Sequence, residues 1–248
     1  MKISIDELRK KYLEAKAYEK EWVWTYYVRR PISYYLAIFF LYFNISANKV
    51  TLLFIFTGVV GSLLLALGDY TMFILGALLI ELAIILDCVD GNIARVKGST
   101  VLGNTLDTWG GEITLVLSMS MLGIGLSTKD DLLTIVILRD LSFHIESGIF
   151  TYIGFFAALS TLAAWAVKNN WQVIIKRIEG LVSVPRRSTF IIENIFHYSG
   201  AYSVTMLISA ILNILDFFLL LVGLVYTINL FVIIYTIVKK AYSLDKSI

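Results

Sequence analysis

The sequence has little charge and almost no cysteine. Only 16% of its 248 residues are charged and 58% are hydrophobic, whereas a soluble domain has about a quarter of its residues charged. This deficit excludes an ordinary water-soluble domain. The single cysteine, Cys88, excludes a disulfide within the chain and a cluster of thiolate metal ligands. Residues 1–21 are highly charged and precede any long apolar run, so we expect no cleavable signal peptide.

The sequence contains several long apolar runs with few charged residues. A helix needs about 20 residues to cross ~30 Å of hydrocarbon, and four apolar runs fit, at residues 50–67, 71–87, 113–126 and 147–167, the third of them extended backwards to about residue 102. Residues 201–238 carry no basic residue and would measure roughly 57 Å as one helix. We therefore expect two spans there, joined by a turn at Asn213 and Asp216. The sequence predicts an all-α, polytopic membrane protein with six transmembrane helices.

The basic residues predict the orientation of the spans, because lysine and arginine concentrate in the cytoplasmic loops of membrane proteins. If both termini are cytoplasmic, nineteen of the twenty-one basic residues lie inside and only Lys129 and Arg139 lie outside. We therefore expect both termini, and the segment between the second and third spans, in the cytoplasm. If the source is prokaryotic, the membrane would be the plasma or inner membrane.

The apolar run at residues 23–44 is interpreted as an amphipathic helix in the membrane plane, not as a seventh span. Arg29 and Arg30 interrupt the run, and its many Tyr and Trp residues suit the headgroup level. The predicted organisation is an interfacial segment at residues 1–48, a six-helix transmembrane catalytic domain at 49–240 and a cytoplasmic tail at 241–248.

The stretch LDCVDGNIARVKGSTVLGNTLDTWGGE, residues 86–112, places acids between two apolar runs. Asp87 and Asp90 are three apart and share a helix face, and Asp107 opens the next span. An aspartate at mid-membrane costs roughly 2.5 to 3.5 kcal/mol. These acids must therefore border water, pair with cations or bind a metal. Solvated interfacial acids are the simplest alternative.

Small residues and a cation beside the acids favour a ligand site. Gly91 directly follows Asp90, and Gly103 precedes Asp107 by four. Glycine beside a carboxylate lets a ligand approach the backbone closely, and Arg95 suits phosphate. Three hard oxygen ligands beside a cation fit Mg²⁺ or Mn²⁺ with a diphosphate.

The stretch resembles the signature of the CDP-alcohol phosphotransferase family. That signature reads D-x-x-D-G-x-x-A-R, then seven or eight residues, then G-x-x-x-D-x-x-x-D. The matching positions, in register, are Asp87, Asp90, Gly91, Ala94, Arg95, Gly103 and Asp107. The resemblance implies transfer of a phospho-alcohol group from a CDP-linked alcohol or lipid to an acceptor hydroxyl. CMP would be released, in the synthesis of phospholipids or related lipids.

The resemblance also implies roles for individual residues. Asp87, Asp90 and Asp107 would hold one or two Mg²⁺ or Mn²⁺ ions. The CDP moiety would be bound by five residues, with Arg95 on phosphate: Asn48, Gly91, Ala94, Arg95 and Gly103. The resemblance implies that Thr51 reaches the nucleotide as well. We further expect a homodimer surrounded by membrane lipids and no nucleic-acid partner.

One position departs from the signature, because Gly111 stands where the family has its fourth aspartate. That acid is usually assigned as the base for the attacking hydroxyl. Glu112 is the adjacent acid, but one helical step rotates a side chain by roughly 100°. It reaches the site only if the glycine pair at 110–111 loosens the helix. We predict Glu112 as the catalytic residue.

Three alternatives stay open. The base comes from elsewhere, or the acceptor is atypical, or catalysis is lost and the chain binds metal and CDP-ligand without turnover. Glu81 also lies in apolar surroundings, where an acid is often functional. A transporter would carry its acids deep within several spans, whereas these cluster at one edge, which disfavours a transporter.

Overall fold

The computed structural model describes residues 5–130, 132–141, 146–179 and 195–245. These residues form helices and no strand. The helices are Ile5–Tyr18 (α1), Arg30–Tyr42 (α2), Ala47–Leu65 (α3), Tyr70–Lys97 (α4), Val101–Ser127 (α5), Leu133–Asp140 (α6), Ile149–Glu179 (α7), Tyr202–Ile211 (α8) and Leu215–Asp245 (α9). A π-helical turn at Thr25–Arg29 leads directly into α2. The predicted all-α class is confirmed.

Five of the helices, α3, α4, α5, α7 and α9, are long and apolar enough to cross a membrane. The sixth predicted span corresponds to α8, which has 10 described residues and measures only about 15 Å at 1.5 Å per residue. Helices α8 and α9 are separated at Asn213, whose φ of 55° is a left-handed conformation that asparagine tolerates. The predicted turn is thus confirmed at Asn213, whereas Asp216 lies in the first turn of α9 and the sixth helix is shorter than a full span.

The long helices pack in a chain of neighbours. Helix α3 lies against α4 and α5, α5 lies against α7, and α7 lies against α9, while α8 packs on α4. One apolar cluster extends through α4, α5 and α9, with Ile80, Leu122 and Leu219 among its fully buried members. A second cluster joins α2 to α3 and α4 near the signature, around Ala37, Phe54 and Val89.

The link between α4 and α5 places the two halves of the signature side by side. It has only three residues, 98–100, and Gly98 ends α4 with a φ of 95°, a conformation that glycine adopts without strain. Thr100 then begins α5, because its side chain accepts a hydrogen bond from the Gly103 amide. The carboxyl end of α4 and the amino end of α5 therefore meet at one edge.

We expect Gly123→Ala to destabilise the fold where α5 and α7 approach each other. A Cβ at position 123 would lie 2.5 Å from the Phe150 carbonyl oxygen and 3.0 Å from the Gly154 Cα. Both are backbone atoms, so the helices must move apart, at a cost of about 1–3 kcal/mol. Thermal unfolding in detergent measures the loss. Gly148→Ala is the control, because a Cβ there would meet nothing within 4 Å; equal melting temperatures of the two variants would contradict the close packing.

Candidate metal and nucleotide site

Three aspartates converge where α4 meets α5. Asp87 and Asp90 lie one turn apart on α4 and Asp107 lies on α5. One carboxylate oxygen from each lies within 4.8 Å of the others. Asp90 is buried and Asp107 is exposed. Thr51 on α3 donates a 2.6 Å hydrogen bond from Oγ1 to Asp90 Oδ2, which fixes the orientation of that carboxylate.

This donor set fits a divalent cation. Carboxylates that share one small space repel each other unless a proton or a cation intervenes. Hard oxygen ligands at such separations suit Mg²⁺ or Mn²⁺ rather than a soft metal. The three residues come from the two helices that the short link holds together, so the geometry exists before any ligand arrives.

A cavity of about 80 Å³ lies beside two of these aspartates. Four of the nucleotide candidates line it together with Asp90 and Asp107: Asn48, Gly91, Ala94 and Gly103. A Cβ at Gly103 would lie 2.6 Å from the Asn48 Oδ1 atom. A side chain at 103 would therefore displace the Asn48 side chain, which packs directly on the α5 backbone.

A second cavity, of about 200 Å³, contains all three aspartates. Arg95 lines it, donates a 3.2 Å hydrogen bond to Asn92 Oδ1 and lies over Gly91, where a Cβ would be 3.3 Å from Arg95 Nη1. Much of the remaining wall comes from the N-terminal segment and from the turn before α8: Glu19, Trp22, Thr25, Arg30, Tyr198 and Ser199. We name this space the aspartate cavity.

Arg30 is a second guanidinium in the aspartate cavity, and the sequence did not predict it. It is 5% exposed, donates to both carboxylate oxygens of Glu19 and lies 3.4 Å from Asn92 Oδ1. Burial is the largest single influence and would lower the pKa of Arg30, but the hydrogen bond with Glu19, together with the nearby charges that include Glu19 and Asp87, raises the pKa above its ordinary value. The group therefore remains a fixed cation.

Arg29 is fully buried and paired with Glu81 of α4. Its Nε and Nη2 atoms donate to the two carboxylate oxygens of Glu81 at 3.0 and 2.8 Å. Nη1 donates to the Tyr198 carbonyl at 3.1 Å, and Nη2 also donates to Ser203 Oγ. An arginine inside an apolar run is a signal for such a buried partner, although the run alone does not identify it.

Glu112 lies outside the aspartate cavity. Helix α5 continues without a break through Gly110 and Gly111, so the loosened helix that would turn Glu112 toward the aspartates is absent. The side chain lines a separate cavity of about 230 Å³ with Lys168, His197 and Asn229, which we name the Glu112 cavity. One Glu112 carboxylate oxygen is buried without a hydrogen-bond partner among the described residues. The catalytic role of Glu112 stays a prediction.

A comparison with protein families agrees with the signature. The family model described as CDP-alcohol phosphatidyltransferase matches residues 44–238, from just after α2 to the last turns of α9. Among individual curated proteins, none matches the chain. The match covers all the long apolar helices and the three aspartates, so the chain belongs to the CDP-alcohol phosphatidyltransferase family.

Proposed function

We propose that the chain transfers a phospho-alcohol group from a CDP-linked alcohol or lipid to an acceptor hydroxyl and releases CMP. The observation that carries this proposal is the convergence of the Asp87, Asp90 and Asp107 carboxylates within 4.8 Å. They lie beside Arg95 and the cavity lined by Asn48 and Gly103. The product would be a phospholipid or a related lipid.

The aspartates are proposed to hold one or two Mg²⁺ or Mn²⁺ ions. Such an ion, when bound, supplies positive charge to the diphosphate oxygens and stabilises the charge that develops during phosphoryl transfer. Thr51 fixes the Asp90 carboxylate. Gly91 and Ala94 leave the nucleotide side of α4 free of bulk.

Arg95 and Arg30 are proposed to bind the diphosphate from the other side of the aspartates. Both guanidinium groups line the aspartate cavity, where partial exclusion of water strengthens their attraction to phosphate oxygens. The acceptor oxygen then forms a bond to the phosphorus next to the transferred alcohol, and the bond from that phosphorus to the bridging oxygen of the CMP group breaks. Glu112 remains our proposal for the final proton acceptor.

A relative that binds metal and CDP-ligand without turnover is the second candidate. The observation that favours it is Gly111, which leaves the signature without its fourth acid. Release of CMP distinguishes the two candidates. Purified protein is incubated in detergent with CDP-alcohols and a panel of acceptor alcohols, with Mg²⁺ or with a chelator. We expect release that requires both the metal and one class of acceptor. No release with any pair would leave only the binding function.

Binding of the nucleotide is expected to depend on the metal. CDP should raise the melting temperature of the protein with Mg²⁺ or Mn²⁺ present and not in chelator, because the diphosphate needs its charge neutralised beside three carboxylates. Arg95→Ala should raise the CDP concentration needed for the same shift in melting temperature by about tenfold or more, since a charge-assisted contact to phosphate is lost. Equal stabilisation by CDP in chelator would refute the proposed mode of binding.

The homodimer, the cytoplasmic orientation of the site, and the plasma or inner membrane as location stay predictions. An accessibility assay on single cysteines introduced at Lys97 and Lys129 would test the orientation, after the native Cys88 is replaced. We expect position 97 to react from the cytoplasmic side and position 129 from the outside.

A further inference from the structure

The ring of Tyr198 fills the space beside Gly111. An ideal Cβ at position 111 would lie 3.6 Å from Tyr198 Cε1 and 3.9 Å from Cζ, with no other atom among its neighbours within 4 Å. Cζ carries the hydroxyl, so the hydroxyl end of the phenol lies in van der Waals contact with the position at which a side chain at 111 would begin. Residue 198 is far from the signature in sequence, and no motif marks it.

The Tyr198 hydroxyl is buried and has no hydrogen-bond partner in the part of the chain that the structure describes. A buried hydroxyl without a partner is costly, so this hydroxyl has the capacity to form a hydrogen bond with a ligand that enters the cavity. The residue also lines both cavities, the aspartate cavity with Asp87 and Asp107 and the Glu112 cavity with Glu112. Tyr198 is thus a wall between the aspartates and Glu112.

The buried ion pair of Arg29 and Glu81 fixes the backbone at Tyr198. Arg29 donates to the Tyr198 carbonyl at 3.1 Å, and Thr25 donates from Oγ1 to the Ser199 carbonyl at 2.6 Å. Glu81 fixes Arg29 through two hydrogen bonds. The backbone of the turn is therefore anchored on both sides of the peptide, which leaves the phenol as the part that faces the site.

We propose that Tyr198 takes the place of the missing fourth acid, by binding the acceptor hydroxyl through its phenol oxygen and carrying the acceptor proton toward Glu112. This inference rests on the proposed transferase function. As the acceptor oxygen bonds to phosphorus and the bond to CMP breaks, the acceptor proton moves to Tyr198 Oη. The proton that Oη held moves through water in the Glu112 cavity to the Glu112 carboxylate. One proton leaves the acceptor, one reaches Glu112, and Tyr198 ends neutral.

Two neighbouring groups fit this role less well. His197 lines the Glu112 cavity but not the aspartate cavity, and its ring stacks on Trp22 with centroids 4.6 Å apart. Glu112 itself lines the Glu112 cavity and not the aspartate cavity, so it needs an intermediary to receive a proton from an acceptor beside Asp107. Tyr198 reaches both spaces.

The first test removes one oxygen atom. Tyr198→Phe should lower the kcat for CMP release by roughly 10²-fold or more, within the range for loss of a group that transfers a proton. The metal-dependent stabilisation by CDP should stay unchanged. Tyr202→Phe is the matched control, because it also loses a buried hydroxyl, one bonded to Ser118 Oγ at 2.8 Å, outside both cavities; its kcat should match wild type. Full activity of Tyr198→Phe would overturn the inference, and so would a loss of activity that is accompanied by loss of CDP binding, since a structural role would then suffice.

The second test uses the geometry at position 111. Tyr198→Ala should be nearly inactive, and adding Gly111→Asp to it should restore activity by tenfold or more, because the carboxylate can enter the space that the ring vacates. In the wild-type background Gly111→Asp should not raise activity, since the ring already fills that space. If Gly111→Asp gives no gain beside Tyr198→Ala, the proposed exchange of roles is overturned.

The double variant Tyr198→Phe/Glu112→Gln separates one relay from two independent groups. A single relay predicts a loss close to that of the more damaging single variant, whereas losses that multiply would contradict the relay. The failure of this inference is distinguishable from the failure of the proposed function. Wild type without CMP release for any donor and acceptor overturns both, while an active wild type and an equally active Tyr198→Phe overturn only the role of Tyr198.

Discussion

Replacing Asp107 with asparagine should lower CMP release by roughly 10³-fold or more, while the protein becomes no less stable in chelator. A metal contributes several kcal/mol of transition-state stabilisation, and each 1.4 kcal/mol is a factor of ten in rate. Without metal the three carboxylates repel one another across less than 4.8 Å. Neutralising one of them should therefore raise the free energy of unfolding in chelator by on the order of 1 kcal/mol, since solvent partly screens the site. Thermal unfolding with chelator and with Mg²⁺ measures both effects.

The diagnostic result is a change in the sign of the stability difference between Asp107→Asn and wild type when Mg²⁺ replaces the chelator. Wild type should be stabilised by Mg²⁺ and Asp107→Asn should not, although the variant equals or exceeds wild type in chelator. Asp69→Asn is the matched control, because Asp69 caps the opposite end of α4 by accepting from the Thr71 and Met72 amides, and asparagine caps comparably. It should keep activity and the Mg²⁺ response. An Asp107→Asn protein that is still stabilised by Mg²⁺ like wild type would remove Asp107 from the metal site.

Glu81→Gln should destabilise the protein by about 3–5 kcal/mol, the cost of leaving a buried charge without its partner. Arg29 is 0% exposed, and its ion pair with Glu81 holds the π-helical turn, α4 and the turn before α8 together. The glutamine fits the same space and still accepts a hydrogen bond. The loss of stability therefore measures the missing charge and not a change in packing. We expect a melting temperature lower by on the order of 10 °C, and weaker CMP release because the turn that carries Tyr198 loosens.

The exposed pair Glu7–Lys11 is the control for Glu81→Gln. Those side chains are 46% and 36% exposed at a separation of 3.1 Å, and a solvent-exposed ion pair contributes about 0–1 kcal/mol. Glu7→Gln should leave the melting temperature nearly unchanged. Replacing both buried partners, as Arg29→Met with Glu81→Leu, should cost less than Glu81→Gln alone, because no charge stays unpaired. A melting temperature of Glu81→Gln equal to wild type would contradict the buried pair.

The sequence predicts the part of the site that lies on two consecutive helices. Asp87 and Asp90 share a helix face because of their spacing, and the short link between α4 and α5 brings Asp107 beside them. Asn48 lies on α3, so the family resemblance rather than local spacing predicts its place beside Gly103. Length and composition also predict the apolar helices and the break at Asn213, because a run of that length exceeds one membrane thickness.

The rest of the site depends on contacts between distant parts of the chain. Arg29 donates hydrogen bonds to the Tyr198 carbonyl and to Ser203, which are 169 and 174 residues away in sequence. No periodic pattern in the sequence predicts such contacts. The arginine pair at 29–30 looked like charge at the headgroup level, whereas both side chains are buried and paired with acids. Tyr198 carries no motif, and its place beside Gly111 appears only when α5 and the turn before α8 are seen together.

The short α8 has a physical reason that composition does not reveal. Tyr198 and Ser199 precede the helix in a turn that lines both cavities, so the chain here forms the site instead of continuing as a helix. Apolar residues precede and follow that turn, so the sequence predicts a single span there. Backbone that departs from helix inside a membrane protein is tolerated where it lines a cavity.

The most direct test of the proposed transfer is the stoichiometry of CMP and new lipid. Purified protein is incubated with a CDP-linked lipid, Mg²⁺ and the acceptor found by the screen, and both CMP and the lipid product are quantified by mass spectrometry over time. We predict one molecule of phosphodiester-linked product for each CMP, and neither in chelator or with Asp107→Asn. CMP without a matching product, or product formation that is unchanged in chelator, would contradict metal-dependent transfer at the three aspartates.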